Sequence, residues 1–469
     1  MRRCMMTIHK RTLLSSSLLL LLTGCAQNIP GYDKAVADIK TGKDTLKTPG
    51  KYSQSINSAK VNDGWIRTFK DKKLDRLVDE AQRNNPSLKI AASRVERAEA
   101  LTQLTESNLM PTVNMRGYYR DNNAEGAQEI AFGGFGVSWE PDVWGRVGNL
   151  VAADRELTAA QLADYDFARQ SLAANTARAW FLYNTNSRIY SFTKKIISLQ
   201  EKTLKILEAR EKIGQGNKRD VHLARALVAS AKDSASAALS AKERSQRALE
   251  VLVGRYPSGK LSSGKLDTVL PRIPNGLPAQ LLERRPDLIA AEQRVAAAFH
   301  QKASADLLHM PNIRLNLGLG PNSLNDAITS LAGGILAPVY TGGAIEAQVA
   351  VANAEQKEAI AQYAKTTLRA FQEVENALAG EKHLATRYKA TQEMVKEYKA
   401  AYTMTVEKYR IGQSTVLDIL IIQGKWISAE IQKLQVTKKR LINRVNLYLA
   451  LGGSFDTKRM HYTAPKKAK

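Results

Sequence analysis

At 469 residues the chain is long enough for several domains, and 69 Lys and Arg against 45 Asp and Glu give it a net charge of +24. Its two cysteines, Cys4 and Cys25, exclude a disulfide-knit scaffold, because Cys4 lies in a leading segment that reads as removed. Stability must therefore come from packing alone.

Met1 to Gly24 has the grammar of an export signal: Arg2, Arg3, Lys10 and Arg11 form a basic start, and Leu13 to Leu22 form an apolar core too short to span a bilayer. Loss of those four cations would leave a charge of +20. In the cytosol such a charge suggests nucleic acid, but an exported chain meets phosphate mainly on lipids, so no nucleic-acid partner is expected. The core ends in Leu22-Thr23-Gly24-Cys25, which resembles the lipobox of bacterial lipoproteins, in which the Cys becomes the acylated first residue. The resemblance implies a covalent lipid on Cys25; no other cofactor is expected.

Residues 26 to 70 carry Gly, Pro, Lys and Ser with little periodicity and read as an extended leader, fixed to the body by Trp65 and Phe69. Leu74, Leu77, Val78 and Ala81 then mark one face of a short amphipathic helix, and Pro86 opens a second helix that runs to Met110-Pro111. Past Pro111 the period falls to two: Val113, Met115, Gly117 and Tyr119 alternate with Thr112, Asn114 and Arg116, and a second apolar stretch runs from Ala131 to Glu140. Arg146 to Ile213 contains no proline, and about 68 residues of helix at ~1.5 Å each would make a rod of roughly 100 Å. A return helix is expected from Asp220 to Val253.

All of this is then written again. Arg285-Pro286-Asp287-Leu288 echoes Asn85-Pro86-Ser87-Leu88 after 200 residues, and Pro338-Val339-Tyr340-Thr341-Gly342 echoes Pro141-Asp142-Val143-Trp144-Gly145. Ile411-Gly412-Gln413 with Asp418 echoes Ile213-Gly214-Gln215 with Asp220. The second copy gives strands from 311 to 339, with Ile313, Leu315, Leu317 and Leu319 opposite Arg314 and Asn316, a rod from Gly343 to Ile411, and a return helix from Asp418 to Leu451. Such a long period means two large units in tandem, not a solenoid. Pro257 to Leu282 and Gly452 to Lys469 read as a mixed belt around the middle of the rods.

Each strand has the length a tilted transmembrane strand needs, yet four cannot close a barrel. Because lipid-exposed backbone must be hydrogen-bonded, the chain must oligomerise, and three copies would supply twelve strands. No active site is visible. The six histidines show no ligand spacing, and Gly-x-Ser-x-Gly and Walker A patterns are absent, so the chain does not read as an enzyme.

The order and repetition of these motifs, with Tyr409-Arg410-Ile411-Gly412 and Asn446-Leu447-Tyr448-Leu449-Ala450-Leu451-Gly452-Gly453, resemble the TolC-like outer-membrane efflux channels, specifically their lipid-anchored branch, over about residues 60 to 453. The resemblance implies a mainly α fold with a β-barrel portion: an internally duplicated protomer with four transmembrane strands and a long coiled-coil portion, trimerising into a twelve-stranded barrel and a twelve-helix tunnel. The implied layout is 1–24 signal peptide, 25–70 lipid-anchored leader, 71–257 first repeat, 258–284 equatorial linker, 285–453 second repeat and 454–469 basic tail. Implied partners are two further copies, a periplasmic adaptor, an inner-membrane transporter and outer-membrane lipids; Ala26 after Cys25 fits outer-membrane delivery. The implied role is a passive exit duct for drugs or other small toxic compounds. A duct for secreted protein and a non-conducting coiled-coil envelope lipoprotein are the alternatives, and the strand pattern argues against the second.

The turns at the ends of the rods are the expected functional site. Gly214 and Gly412 suit left-handed C-caps, and Asp220 and Asp418 suit N-caps of the return helices. The resemblance further implies a periplasmic gate, with a hydrogen bond between Asp220 and Tyr409 holding it shut and a ring of Asp418 narrowing it and discouraging anions. A family member carries Arg where this chain has Ser414 and a second Asp where it has Ile421. Charge also gathers at this end: residues 186–219 hold nine Lys or Arg against three acids, and 382–413 seven against three, whereas 343–380 is net −2. Solvated helix faces, docking to an acidic rim on the adaptor, or an anion-tolerant vestibule each account for it.

Overall fold

A computed structural model describes Lys34, Tyr52 and residues 64–120, 130–264, 266, 270–271, 283–321 and 327–453. The expected signal peptide, Cys25, most of the leader, much of the linker and the basic tail lie outside the described residues.

The elements in chain order are α1 (Lys72–Asn84), α2 (Pro86–Ser107), β1 (Thr112–Arg120), β2 (Ile130–Trp139), α3 (Arg146–Lys212) and α4 (Lys218–Leu252), then α5 (Pro286–Asp306), β3 (Asn312–Pro321), β4 (Ala327–Leu336), α6 (Ala344–Arg410) and α7 (Val416–Ala450). Helices α3 and α6 are each 67 residues long, so each is a rod of about 100 Å. Neither rod contains proline, and frequent small Ala residues let neighbouring backbones approach. In the half nearer the strands α3 packs against α2 and α5, and α5 against α6; in the other half α3 packs against α4 and α7, and α7 against α6. The result is a palisade four helices abreast at each level.

Each short helix meets a return helix end to end. Asn85 Nδ2 donates to the carbonyl of Leu252 at 2.7 Å, joining α2 to α4, and Arg285 Nη1 donates to the carbonyl of Ala450 at 3.3 Å, joining α5 to α7. Both donors precede the helix-opening proline, and Asn85 also caps the helix that follows it by accepting the Ser87 amide at 2.8 Å, whereas Arg285 makes no such cap on α5. The buried Arg285 side chain also forms ion pairs with Asp287 at 2.7 Å and Glu373 at 2.8 Å. Past each return helix stands a left-handed glycine, Gly254 at φ 81° and Gly452 at φ 66°. A Cβ on Gly254 would come within 2.8 Å of the Asn84 carbonyl oxygen, and one on Gly452 within 3.0 Å of Arg284.

The core is concentrated at this joint. Trp65, Ile66 and Phe69 pack with Leu74, Trp180, Phe181, Leu249 and Val445, and Trp65 stacks on Tyr448 with ring centroids 5.3 Å apart. Trp180 donates to Asp71, whose other carboxylate oxygen caps α1 through the amides of Lys73 and Leu74. Tyr52 of the leader is buried in a second cluster with Leu288, Val374, Leu378 and Leu447. The leader is thus fixed to both copies, further than Trp65 and Phe69 alone imply. The start of the linker runs across α4, where Glu250 accepts the amides of Gly259, Lys260 and Leu261.

At the far end the strands form one antiparallel sheet in the order β1-β2-β3-β4, with β2 and β3 joining the two copies through Phe135–Trp139 and Leu315–Leu319. The register places Val113, Met115, Phe135, Val137, Leu315, Leu317, Leu319, Leu331 and Ile335 on one face, and Asn114, Arg116, Ser138, Arg314, Asn316 and Ser330 on the other. Among the described residues none covers the apolar face; Met115 is 77 % and Leu331 80 % exposed. The hairpins are rooted on the helices by indole donors, Trp139 to the Leu109 carbonyl at 3.0 Å and Trp144 to the Pro311 carbonyl at 2.7 Å. Asp142 caps α3 through the amides of Val147 and Gly148, while the second copy has no such acid and uses paired left-handed glycines, Gly342 and Gly343. The aligned glycine of the second copy is therefore Gly343, one residue past the one its sequence echo indicates. No helix among the described residues is long and apolar enough to cross a membrane.

Ala substitution should separate the two roles of glycine. At Gly214, φ 73° but open space around the Cβ, the cost should be about 1–2 kcal/mol from backbone strain. At Gly254 the clash with Asn84 adds to that strain, so thermal unfolding followed by helical dichroism should fall further for Gly254→Ala than for Gly214→Ala; equal losses would contradict the end-to-end joint.

Candidate functional site

The two rod-end turns are built alike. At the first, the amide of Gly214 donates to the Glu211 carbonyl at 3.0 Å and that of Gln215 to the Arg210 carbonyl at 2.9 Å; at the second, Gly412 donates to Tyr409 at 3.1 Å and Gln413 to Lys408 at 2.8 Å. Each is a Schellman motif with its left-handed residue at Gly214 (φ 73°) or Gly412 (φ 81°), as the sequence leads one to expect. Gly216 is tied to its turn for a different reason, since a Cβ there would sit 2.7 Å from the Glu211 amide.

The expected N-caps are displaced. Asn217 caps α4 by accepting from the Arg219 amide at 2.9 Å, and Thr415 caps α7; Asp220 and Asp418 are third residues of their helices. At the second turn this makes a reciprocal capping box, in which Thr415 Oγ1 accepts the Asp418 amide at 3.2 Å and the Asp418 carboxylate accepts the Thr415 amide at 2.9 Å. The same carboxylate oxygen accepts the hydroxyls of Thr415 at 2.7 Å and Ser414 at 3.1 Å. The Thr415 amide, then the two hydroxyls, hold the Asp418 carboxyl below the usual carboxylate range, so it stays ionised with its charge turned toward its own turn.

The expected bond between Asp220 and Tyr409 is replaced by another. Tyr409 Oη accepts from Arg210 Nη1 at 2.5 Å, with the guanidinium carbon 5.1 Å from the ring centroid, so one arginine supplies both a charge-assisted hydrogen bond and a cation–π contact. Asp220, half-buried, pairs with the exposed Arg219 at 3.5 Å. Arg210 reaches Tyr409 first because both lie one turn before their glycines, on α3 and α6. Behind this pair Leu207, Val221, Ala224, Val416 and Leu420 form a small apolar cluster that holds three helices together. Further from the turns Trp426 of α7 is wedged between Tyr402 of α6, stacked at 5.5 Å, and Phe192 of α3, edge-on at 6.0 Å.

Sequence reasoning missed Arg210 and Trp426. A basic residue in the last turn of a helix is ordinary, and nothing local links it to a tyrosine 199 residues later. Among the described residues no three His, Cys, Asp or Glu stand together in a way that could hold a metal ion.

A family model described as "Outer membrane efflux protein" matches the chain twice, at residues 77–255 and 277–453. The chain is 28% identical over 463 residues to the Pseudomonas putida solvent efflux pump outer membrane protein SrpC, covering 93% of this chain and 97% of that one. It is 26% identical over 471 residues to a probable outer membrane lipoprotein of Salmonella typhimurium, SilC, covering 96% and 100%. Among solved structures, the open-state outer membrane channel MtrE of Neisseria gonorrhoeae superposes with a TM-score of 0.80 at 28% identity over 88% of this chain and 98% of that one. The Campylobacter jejuni channel CmeC shares the fold with a TM-score of 0.82 at 22% identity, covering 88% and 92%. With both copies matched by the family, on a sheet with one apolar face mounted on rods of about 100 Å, the chain belongs to the outer membrane efflux protein family and is an outer-membrane channel of an efflux system.

Proposed function

We propose that the protein is the passive exit duct of a tripartite efflux system, assembled from three copies, tethered through a lipid on Cys25, and fed with drugs or other small toxic compounds by an inner-membrane transporter held to it by a periplasmic adaptor. The observation that carries this reading is the open sheet. Among the described residues its apolar face is uncovered and both edge strands, β1 and β4, lack partners. Three sheets edge to edge would pair each β4 with the next β1 and give twelve strands, an even number with the polar face inward. The palisade below is four helices abreast, so the same ring would give twelve helices.

In this reading the rod-end turns are the mouth, with Asp220, Tyr409 and Asp418 at it as the family resemblance implies, and Arg210 added by the geometry. The Arg210–Tyr409 contact ties α3 to α6, so opening requires that tie to break as the helix pairs splay, a shift between two packings with no covalent event. Asp220 contributes through an ion pair with an exposed arginine, a contact worth about 0–1 kcal/mol. The compounds carried are set mostly by the chain's partners, not by any reactive group.

Two outcomes follow. Purified protein in planar bilayers should give discrete ion conductance, whereas a tether without a pore gives none. In cells, leak of a large antibiotic should rise in Arg210→Ala and Tyr409→Ala, less in Tyr409→Phe, which keeps the ring beneath the guanidinium, and least in Asp220→Ala. Unchanged leak in all four would count against a latch at this position.

A further inference from the structure

The charge of this chain is not spread evenly along the duct, and its distribution has a sign at both ends. Arg116 and Arg314 lie on the polar face of the sheet with Asn114, Ser138, Asn316 and Ser330. Each stands opposite a glycine on one neighbouring strand, Gly134 for Arg116 and Gly334 for Arg314, so no side chain competes for the space on that side. Strands β1 to β4 contain no Asp or Glu. When the apolar face turns to lipid, these two arginines per protomer turn to the lumen.

The helices divide by height, with opposite signs in the two halves. In the half nearer the barrel, residues 86–107, 146–185, 286–306 and 344–381 hold 12 Lys or Arg against 16 Asp or Glu, net −4. In the half nearer the turns, residues 186–252 and 382–450 hold 27 against 12, net +15. The acids at the turns are already engaged: Asp220 by Arg219, Glu208 by Arg225 at 2.7 Å, Glu407 by Arg410 at 2.9 Å, and Asp418 by its own capping box. Among the described residues Lys212, Lys218 and Lys408 form no ion pair, and only Glu211 stands against them. Solvent screening reduces such charges beyond about 8 Å, but a narrow lumen with low-dielectric helical walls focuses the field of one sign.

We propose that the duct is anion-attracting, with a cationic vestibule at its mouth half and an arginine ring in its barrel, so that the compounds it passes most readily carry net negative charge. This rests on the exit-duct reading. It also reverses the expectation that Asp418 makes the mouth repel anions, because that carboxylate is one acid within a surplus of fifteen cations per protomer.

The test is the zero-current potential of the full-length protein in planar bilayers under a KCl gradient. Chloride should carry most of the current, and the preference should weaken as total salt rises. Arg116→Gln with Arg314→Gln, and separately Lys212→Gln with Lys218→Gln and Lys408→Gln, should each shift the potential toward zero while the trimer persists on gels. A conducting wild-type channel with a potassium preference or with none overturns the proposal, as does a preference that neither variant set moves. Absence of any conductance is a different failure, that of the duct itself. Should a variant not assemble, the sign of the wild-type potential still decides.

Discussion

Backbone hydrogen bonding in lipid is the constraint on which the whole structure depends. A strand that faces hydrocarbon cannot leave its N–H and C=O groups bare, since each unmade bond costs several kcal/mol with no water to take its place. The protomer closes three strand pairs and leaves β1 and β4 with open edges. An odd or unequal number of elements below would make ring closure a separate problem for the helices. Instead four strands stand over four helices abreast, so one rotation would close sheet and palisade together. The duplication that places β2 beside β3 also sets α3 beside α5 and α7.

The joint at mid-height shows how two copies can meet the same need with different chemistry. The first copy uses the neutral Asn85, whose side chain accepts the Ser87 amide and donates to the Leu252 carbonyl. The second uses Arg285, which reaches the equivalent carbonyl of Ala450 but brings a buried charge, and so needs Asp287 and Glu373 beside it. In both, a glycine past the return helix lets its backbone lie against the residues preceding the motif. Packing at this joint, reinforced by Trp65, Trp180 and Tyr448, is what allows pairs of short helices to serve as single long ones.

Much of this was legible in the chain because it is written in local periodicity. The rods end within one residue of Ile213 and Ile411, since proline is absent and a glycine closes each. The strands announce themselves by the change to period two after Pro111 and Pro311. The turn glycines follow from the need for a left-handed residue. The N-caps were misplaced because Asp at a first turn can act from the cap or from the third residue, and only the position of Asn217 and Thr415 relative to the glycines decides. The Arg210–Tyr409 contact, the Trp426 wedge and the seat of Tyr52 were not legible, because each joins helices or segments far apart in sequence through faces that local pattern does not orient. Cys25, on which the expected lipid depends, lies outside the described residues.

The most direct test of the central claim is disulfide cross-linking across the two open edges. With Cys25 the sole cysteine beyond residue 4, a pair introduced along the lipid face, one on β1 near Met115 and one on β4 near Leu331, reports only on each other. Edge-to-edge closure predicts that oxidation in membranes yields covalent dimers and trimers and nothing larger, with reduction restoring the monomer. Oxidised membranes that contain only monomer, for pairs placed at several positions along both strands, would contradict the account.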